Sequence, residues 1–274
     1  MNNNLEFLRG ILEGPLKSIN YDEVSRFNKG YLRYKDNPFR SFIEDEWEFY
    51  STTLDFYKKN AKKGASILDI GSFIPVMPLL LSKEGFNVTT IEKLSFYENA
   101  LSPLLDIYES HNIKFYDQDI FTKGPVNNFS YDIVNLMNVI EHLNGSPKEL
   151  FKIFYKLIKD DGFGVITVPN QARFTNRIKL LFGNSVQPQF KEFYHSDYPY
   201  LGHNREYTFN ELIYALEQSS LSVEKILPIR YSSKANIYRA MLTQFSKVLP
   251  RTFQFGIFAV VKKQEGSGEK NQII

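Results

Sequence analysis

The chain predicts an α/β fold built on a seven-stranded, mainly parallel sheet with helices on both faces, a helical N-terminal cap and an inserted lid. Three observations lead there. From Ser66 onward, short apolar runs alternate with helical stretches: "SILDI", "NVTTIE", "IKFY", "YDIVNLM" and "FGVITV". That is the pattern of βαβ units whose strands are buried on both faces. Two later runs, "SVEKILPI" and "FGIFAVVKK", complete the sheet. Acidic and polar residues gather just after the runs, at the strand ends where open α/β sheets bind ligands.

The elements follow in order. Residues 1–64 read as a helical extension, in which Phe42, Trp47, Tyr50 and Leu54 recur at mixed three- and four-residue steps. After the first strand, "LDIGSFIPVMPLLL" stretches a turn over Gly71 to Met77 and starts a helix at Pro78, because the residue before a proline avoids the α region. Ser146-Pro147-Lys148-Glu149 reads as a capping box. It opens a helix with Leu150, Phe151, Phe154, Leu157 and Ile158 on one face, ended by Gly162. Thr208-Phe209-Asn210-Glu211 is a second such box. The sheet domain spans 65–262 with two insertions, a lid at 171–205 and a segment at 231–254, and 263–274 is a flexible tail.

Composition narrows the function. A length of 274 residues suits one domain with additions, and 15% aromatic residues predict a ring-rich core and pocket. Cysteine is absent, which removes disulfides, thiolate metal sites and a cysteine nucleophile and fits a reducing compartment. The N-terminus has no leader pattern and no apolar run reaches the roughly 18 residues a membrane span needs, so a cytoplasmic protein is expected. A net charge of +2 gives no reason to expect a nucleic-acid partner.

The strand ends supply the candidate site. Asp69 and Gly71 close the first strand, and Ser72 and Phe73 continue its loop. Glu92 ends the second, 23 residues after Asp69, where an acid accepts ribose hydroxyls. Asp119 and Ile120 follow the third strand, Asn138, Glu141 and His142 the fourth, and Asn170 the fifth.

This set resembles the class I S-adenosylmethionine-dependent methyltransferases over most of residues 65–262. "ILDIGS" is similar to that family's first motif, "TTIEK" to its ribose-binding acid and "DQDIF" to its acid near the adenine. "YDIVNLMNVIEHL" and "LIKDDGFGVITVPN" resemble its fourth- and fifth-strand motifs, and "HNREYTFNEL" looks like a segment of bacterial members linked to small-molecule or surface-glycan methylation. The resemblance implies a Rossmann-like fold and S-adenosyl-L-methionine as cofactor, held by Asp69, Gly71, Ser72, Phe73, Glu92, Asp119, Ile120 and Asn138. It implies a small-molecule or saccharide acceptor, first of all a hydroxyl on a sugar or glycan precursor. A lipid or aromatic acceptor stays open.

The first loop departs from the family pattern, with Phe73 and Pro75 where glycines are usual. A nicotinamide dehydrogenase needs those glycines, because backbone must approach a pyrophosphate. S-adenosylmethionine has no phosphate, and its ammonium and sulfonium favour a carboxylate such as Asp69. If Phe73 fills the cofactor space, the chain is a non-catalytic module of the same fold. A nucleic-acid methyltransferase is disfavoured by the missing basic face and by "NLMNV" where adenine-specific members carry a proline-rich motif.

Catalysis would be in-line positioning, with base assistance from His142 or His203, since a neutral imidazole suits proton removal near pH 7. Glu141, Asn170, Arg205 and Tyr207 are candidate substrate contacts; Arg205 suits a carboxylate or phosphate. Glu141 and His142 also read as pins that tie their loop to neighbouring backbone. His195, Asp197 and His203 match no established ligand spacing, so no metal is expected. In 231–254, Ile237, Met241, Leu242, Phe245 and Val248 face away from Lys234, Arg239, Lys247 and Arg251. That reads as a lid or subunit contact, with peripheral membrane contact second. The oligomeric state is open.

Overall fold

A computed structural model describes residues 2–97, 99–121, 129–187, 190–230, 245 and 248–264. Ile237, Met241, Leu242, Lys234, Arg239 and Lys247 of the expected basic helix lie outside the described residues, as does the tail from 265.

The chain begins with α1 (Asn3–Lys17), α2 (Tyr21–Val24), two irregular turns and α3 (Trp47–Asn60). Then come β1 (Ser66–Ile70), α4 (Val76–Lys83), β2 (Asn87–Glu92), α5 (Leu105–Ser110), β3 (Lys114–Asp117) and β4 (Tyr131–Met137). After these follow α6 (Lys148–Leu157), β5 (Ile158–Pro169), α7 (Phe174–Leu181), α8 (Phe190–His195), α9 (Phe209–Glu217), β6 (Leu221–Ile229) and β7 (Gly256–Lys263). The sheet order is β3-β2-β1-β4-β5-β7-β6. β1 to β5 are parallel, and β7 runs antiparallel between β5 and β6. The order reverses between β1 and β4, so the loops after these two strands flank the crevice where such sheets bind ligands.

Alternation along the strands divides the core into two layers. Ile67, Val88, Ile133, Val165 and Phe258 face a layer with Leu8, Leu12, Leu54 and Leu79. Leu68, Val134, Leu136, Ile166 and Ile257 face the other, with Phe151, Phe154, Leu212 and Leu216 of α6 and α9. The segment 1–64 packs into the first of these layers, with α3 against β6 and β7 and α1 against α4. Tyr57 Oη on α3 donates to Asn135 Oδ1 on β4 at 3.1 Å. Phe49 lies so close to Gly256 that a Cβ there would stand 2.5 Å from its ring.

Three local expectations are corrected. α4 begins at Val76 with Pro75 as its N-cap, ahead of Pro78. Pro78 fits inside the first turn because N–H groups there have no intrahelical partner to lose. Ser146 forms no capping box: Pro147 is the N-cap, and Ser146 Oγ accepts from the Lys148 N–H at 3.3 Å instead. α6 ends at Leu157 and passes directly into β5, with Gly162 inside the strand. A Cβ at Gly162 would meet the Asp132 carbonyl at 2.7 Å, so glycine there permits close strand approach. The box at Thr208 does form, with Glu211 N–H on Thr208 Oγ1 and Thr208 N–H on Glu211 Oε2. Among the described residues no helix is long and apolar enough to cross a membrane.

Candidate active site

The loop after β1 is held by its own backbone. Gly71 has φ 77°, and its N–H donates to the Ile91 carbonyl at 2.8 Å. A Cβ at Gly71 would stand 2.8 Å from Val139 Cγ2, so glycine serves both the turn and the approach of the β4 loop. Ser72 Oγ lies 2.8 Å from Thr90 Oγ1. Phe73 takes φ 47°, left-handed backbone that a residue with a Cβ seldom adopts. That conformation turns its N–H onto Glu92 Oε2 at 2.8 Å, while the Lys93 N–H reaches Glu92 Oε1 at 2.8 Å. The Phe73 ring leaves toward the N-terminal segment and stacks on Tyr31, centroids 5.3 Å apart and planes 16° from parallel. Phe42 and Tyr97 complete the cluster.

The ring thus forms a wall and leaves a cavity of about 310 Å³ beside Asp69, Gly71, Ser72 and Glu92, a size typical of small-molecule sites. Asp69 is buried and accepts a hydrogen bond from Asn135 Nδ2. Burial pushes its carboxyl up to about 7; the Asn135 bond opposes this and Glu92 adds to it. Glu92 is likewise raised by burial, against its two backbone N–H donors.

The loop after β4 carries the second group. Asn138 lines the same cavity with φ 52°; its N–H meets the Thr167 carbonyl at 2.9 Å and its Oδ1 the Thr167 hydroxyl at 3.2 Å. His142 Nδ1 donates to the Leu201 carbonyl at 3.0 Å, and burial, with His203 beside it, holds its pKa down at about 3, so the ring is neutral. The His142 and His203 rings meet edge to face at 4.7 Å. Glu141 is fully buried: its carbonyl accepts from Asn204 and Arg205 N–H, while neither carboxylate oxygen has a hydrogen-bond partner. Burial pushes this carboxyl up to about 7, against the attraction of His203. His203 Nδ1 lies 3.2 Å from Glu206 Oε1. Burial disfavours its charged form, yet Glu206 and Glu141 outweigh that and its pKa is raised.

A second cavity of about 440 Å³ adjoins the first and shares Tyr31, Phe42, Tyr50, Phe73, Asn138 and His142 with it. Glu46, Arg173, Lys179, His203 and Glu206 line its far side, and Arg173 pairs with Glu206. The lid closes onto the N-terminal segment: the Asp197 N–H reaches the Arg26 carbonyl at 2.7 Å, the Leu201 N–H reaches that of Phe27 at 2.9 Å, and Arg33 pairs with Glu192 at 3.2 Å.

Other anticipated residues stand elsewhere. Asp119 accepts from Lys93 Nζ and the Phe121 N–H, both at 2.9 Å, and neither it nor Ile120 lines the cavity. Asn170 is spent on structure: its amide donates to the Thr252 and Gln254 carbonyls and its oxygen accepts from the Ala172 N–H, fixing the approach to β7. Arg205 pairs with Glu211 at 2.7 Å, and Tyr207 is buried behind it; neither lines either of these two cavities. The arginines lining the second cavity are Arg33, which pairs with Glu192, and Arg173. These two, Glu46 and Glu206 were not anticipated, and the one signal for Glu46 is its place in "EDEWEFY", one residue before Trp47 of the amphipathic run.

Comparison with known proteins places the chain in a family. The "Methyltransferase domain" family matches residues 39–226. The chain is 26% identical over 172 residues to a ubiquinone biosynthesis O-methyltransferase of Rickettsia bellii, an alignment covering 58% of this chain and 66% of that protein. It therefore spans just under two thirds of the length of the curated relatives it matches. Its fold is similar to that of an S-adenosylmethionine-dependent methyltransferase from Clostridium acetobutylicum, with a TM-score of 0.57, 14% identity, and 86% of this chain and 98% of that chain covered. A methyltransferase from Mesorhizobium loti gives a TM-score of 0.54 at 13% identity, covering 80% of this chain and 98% of that one.

Proposed function

Because the chain belongs to the methyltransferase-domain family, whose members of this fold use S-adenosylmethionine, we propose that it transfers the methyl group of that cofactor to a hydroxyl of a small-molecule acceptor. The observation that carries the reading is the meeting of two cavities at Asn138 and His142. In-line transfer needs the sulfonium on one side of such a junction and the acceptor oxygen on the other. On the cofactor side, Asp69 faces the ammonium and Glu92 the ribose hydroxyls. On the acceptor side, the lid and the N-terminal segment supply Arg173, Glu206, Glu46 and the rings of Tyr31, Tyr50 and Phe42. The hydroxyl proton leaves at His203, the member of the His142–His203 pair whose basicity Glu206 and Glu141 raise, while His142, held neutral, lines the junction.

A sugar hydroxyl, as on a glycan precursor, is the first acceptor: ring walls take the apolar face of a pyranose and the polar far side takes its hydroxyls. An aromatic hydroxyl is the second, supported by the name of the Rickettsia bellii relative and by the same rings. Calorimetric titration with S-adenosylmethionine and S-adenosylhomocysteine is expected to give heat for both, and no heat with either overturns the reading. Transfer of labelled methyl to a panel of nucleotide sugars and dihydroxybenzoates then separates the acceptors. Binding without transfer to any member favours a non-catalytic module.

A further inference from the structure

We propose that Glu141, His142 and His203 hold a divalent transition-metal cation, zinc by its ligand preference, beside the acceptor cavity. Among the described residues these three each bring a ligand atom to within 4.8 Å of the others. Ligand atoms about 2.1 Å from one tetrahedral ion stand about 3.4 Å apart, so side-chain rotation that draws the atoms together by at most about 1.4 Å completes the set. Two imidazoles and one carboxylate suit zinc and its neighbours in the first transition row, and a three-residue set leaves a coordination position open.

A second observation points to a ligand independently of the spacing. Glu141 is fully buried, and both of its carboxylate oxygens are without a hydrogen-bond partner. A carboxylate serving only to pin its loop would be bonded to that loop, yet the pinning is done by the Glu141 backbone carbonyl, which accepts from the N–H groups of Asn204 and Arg205. The side chain is left facing the two rings.

The surroundings have the form of an outer ligand shell. Histidines that hold a metal through one nitrogen regularly donate the other N–H to a carbonyl or carboxylate, which fixes the ring and its tautomer. His142 Nδ1 is on the Leu201 carbonyl at 3.0 Å, and His203 Nδ1 is 3.2 Å from Glu206, which Arg173 holds in turn. Both rings therefore have Nε2 as the remaining nitrogen. Glu46, Glu141 and Glu206 all act electrostatically on His203, a field that favours a cation between them. The expectation of no metal considered His203 with His195 and Asp197; Asp197 instead pairs with Arg26, and Glu141 and His142 stand beside His203.

The chemical role rests on the proposed methyl transfer. With both Nε2 atoms on it, the cation takes the place of the imidazole base: an acceptor hydroxyl in the open position loses its proton to solvent more readily on the cation. Its oxygen lone pair then forms the O–CH3 bond as the S–CH3 pair returns to sulfur, turning the sulfonium into a thioether.

The test needs no acceptor. The full chain, stripped with a chelator and dialysed, is titrated with zinc chloride by calorimetry, and separately with cobalt(II) to follow visible absorption. The expected result is one ion per chain, with Glu141→Gln and His203→Ala each weakening zinc by about tenfold or more and shifting the cobalt bands, while heat with S-adenosylmethionine is unchanged. No zinc uptake by the folded wild type, or equal uptake by both variants, overturns the site. Cofactor heat without zinc uptake refutes the cation and leaves the methyltransferase reading standing; zinc uptake without cofactor heat does the reverse.

Discussion

The backbone N–H of Phe73 donates to Glu92 Oε2 at 2.8 Å, which joins the β1 loop to the end of β2 through the acid expected to receive the cofactor ribose. Glu92→Gln keeps one acceptor for these N–H groups but loses the second charged oxygen. Cofactor affinity is expected to fall roughly tenfold or more, because hydrogen bonds to a charged group contribute about 1.5–3 kcal/mol. Calorimetry checks it, and unchanged affinity would remove Glu92 from the binding site.

Phe73 couples two opposing effects, a strained left-handed backbone and a ring packed against Tyr31, Phe42 and Tyr97. Phe73→Ala removes the packing and keeps the strain; the loss should be roughly 2–3 kcal/mol, below the 3–5 of a fully buried ring. Phe73→Gly removes both. Since left-handed backbone costs a residue with a Cβ about 1–2 kcal/mol, the glycine variant is expected to be no less stable than the alanine variant. Urea denaturation decides this, and the ordinary order, alanine clearly above glycine, would contradict the assigned backbone.

Gly71→Ala meets both φ 77° and the Val139 side chain at 2.8 Å. A loss of about 2 kcal/mol or more is expected, together with weakened cofactor binding. Adding Val139→Ala relieves the clash but not the dihedral, so the double variant should recover part of the stability. Full additivity of the two losses would mean that the contact has no energetic weight.

The sheet was legible because burial on both faces writes itself into sequence. β1, β2 and β4 match "SILDI", "NVTTIE" and "YDIVNLM" residue for residue. β5 was read short, since "IKDDG" is polar and ends in a glycine that resembles a helix stop. The glycine instead answers to the Asp132 carbonyl on the neighbouring strand, a tertiary cause with no local trace. The wall of the first cavity was legible for the same reason: Asp69, Gly71, Ser72 and Glu92 sit at strand ends, which the pattern locates. The far side of the second cavity was not. Glu46, Arg173 and Glu206 come from the N-terminal segment, the start of the lid and the residue just after it, brought together by long-range contacts. Arg205 and Arg173 look equally suitable in sequence, and only packing shows that the first is paired with Glu211 on the outside.

Asp69 offers a test by pH. Burial pushes its carboxyl up to about 7, whereas an unfolded aspartate titrates near 3.9. The folded state therefore holds the proton more tightly, so this group's contribution to stability is fully present below about pH 4 and is lost as pH rises through about 7. Cofactor binding has the opposite sign, since an ammonium calls for the ionised form. Glu92 faces Asp69 and is raised in the same direction, while Tyr57 and Tyr50 stay neutral well above this range. S-adenosylmethionine affinity is expected to rise between about pH 6 and 7.5, by up to about tenfold per unit below the Asp69 pKa. Asp69→Asn should flatten that profile, lower affinity throughout, and raise the cofactor-free Tm by a few degrees, at ~2–4 °C per kcal/mol for a chain of this size. A steep profile retained in the asparagine variant would assign the titration to Glu92.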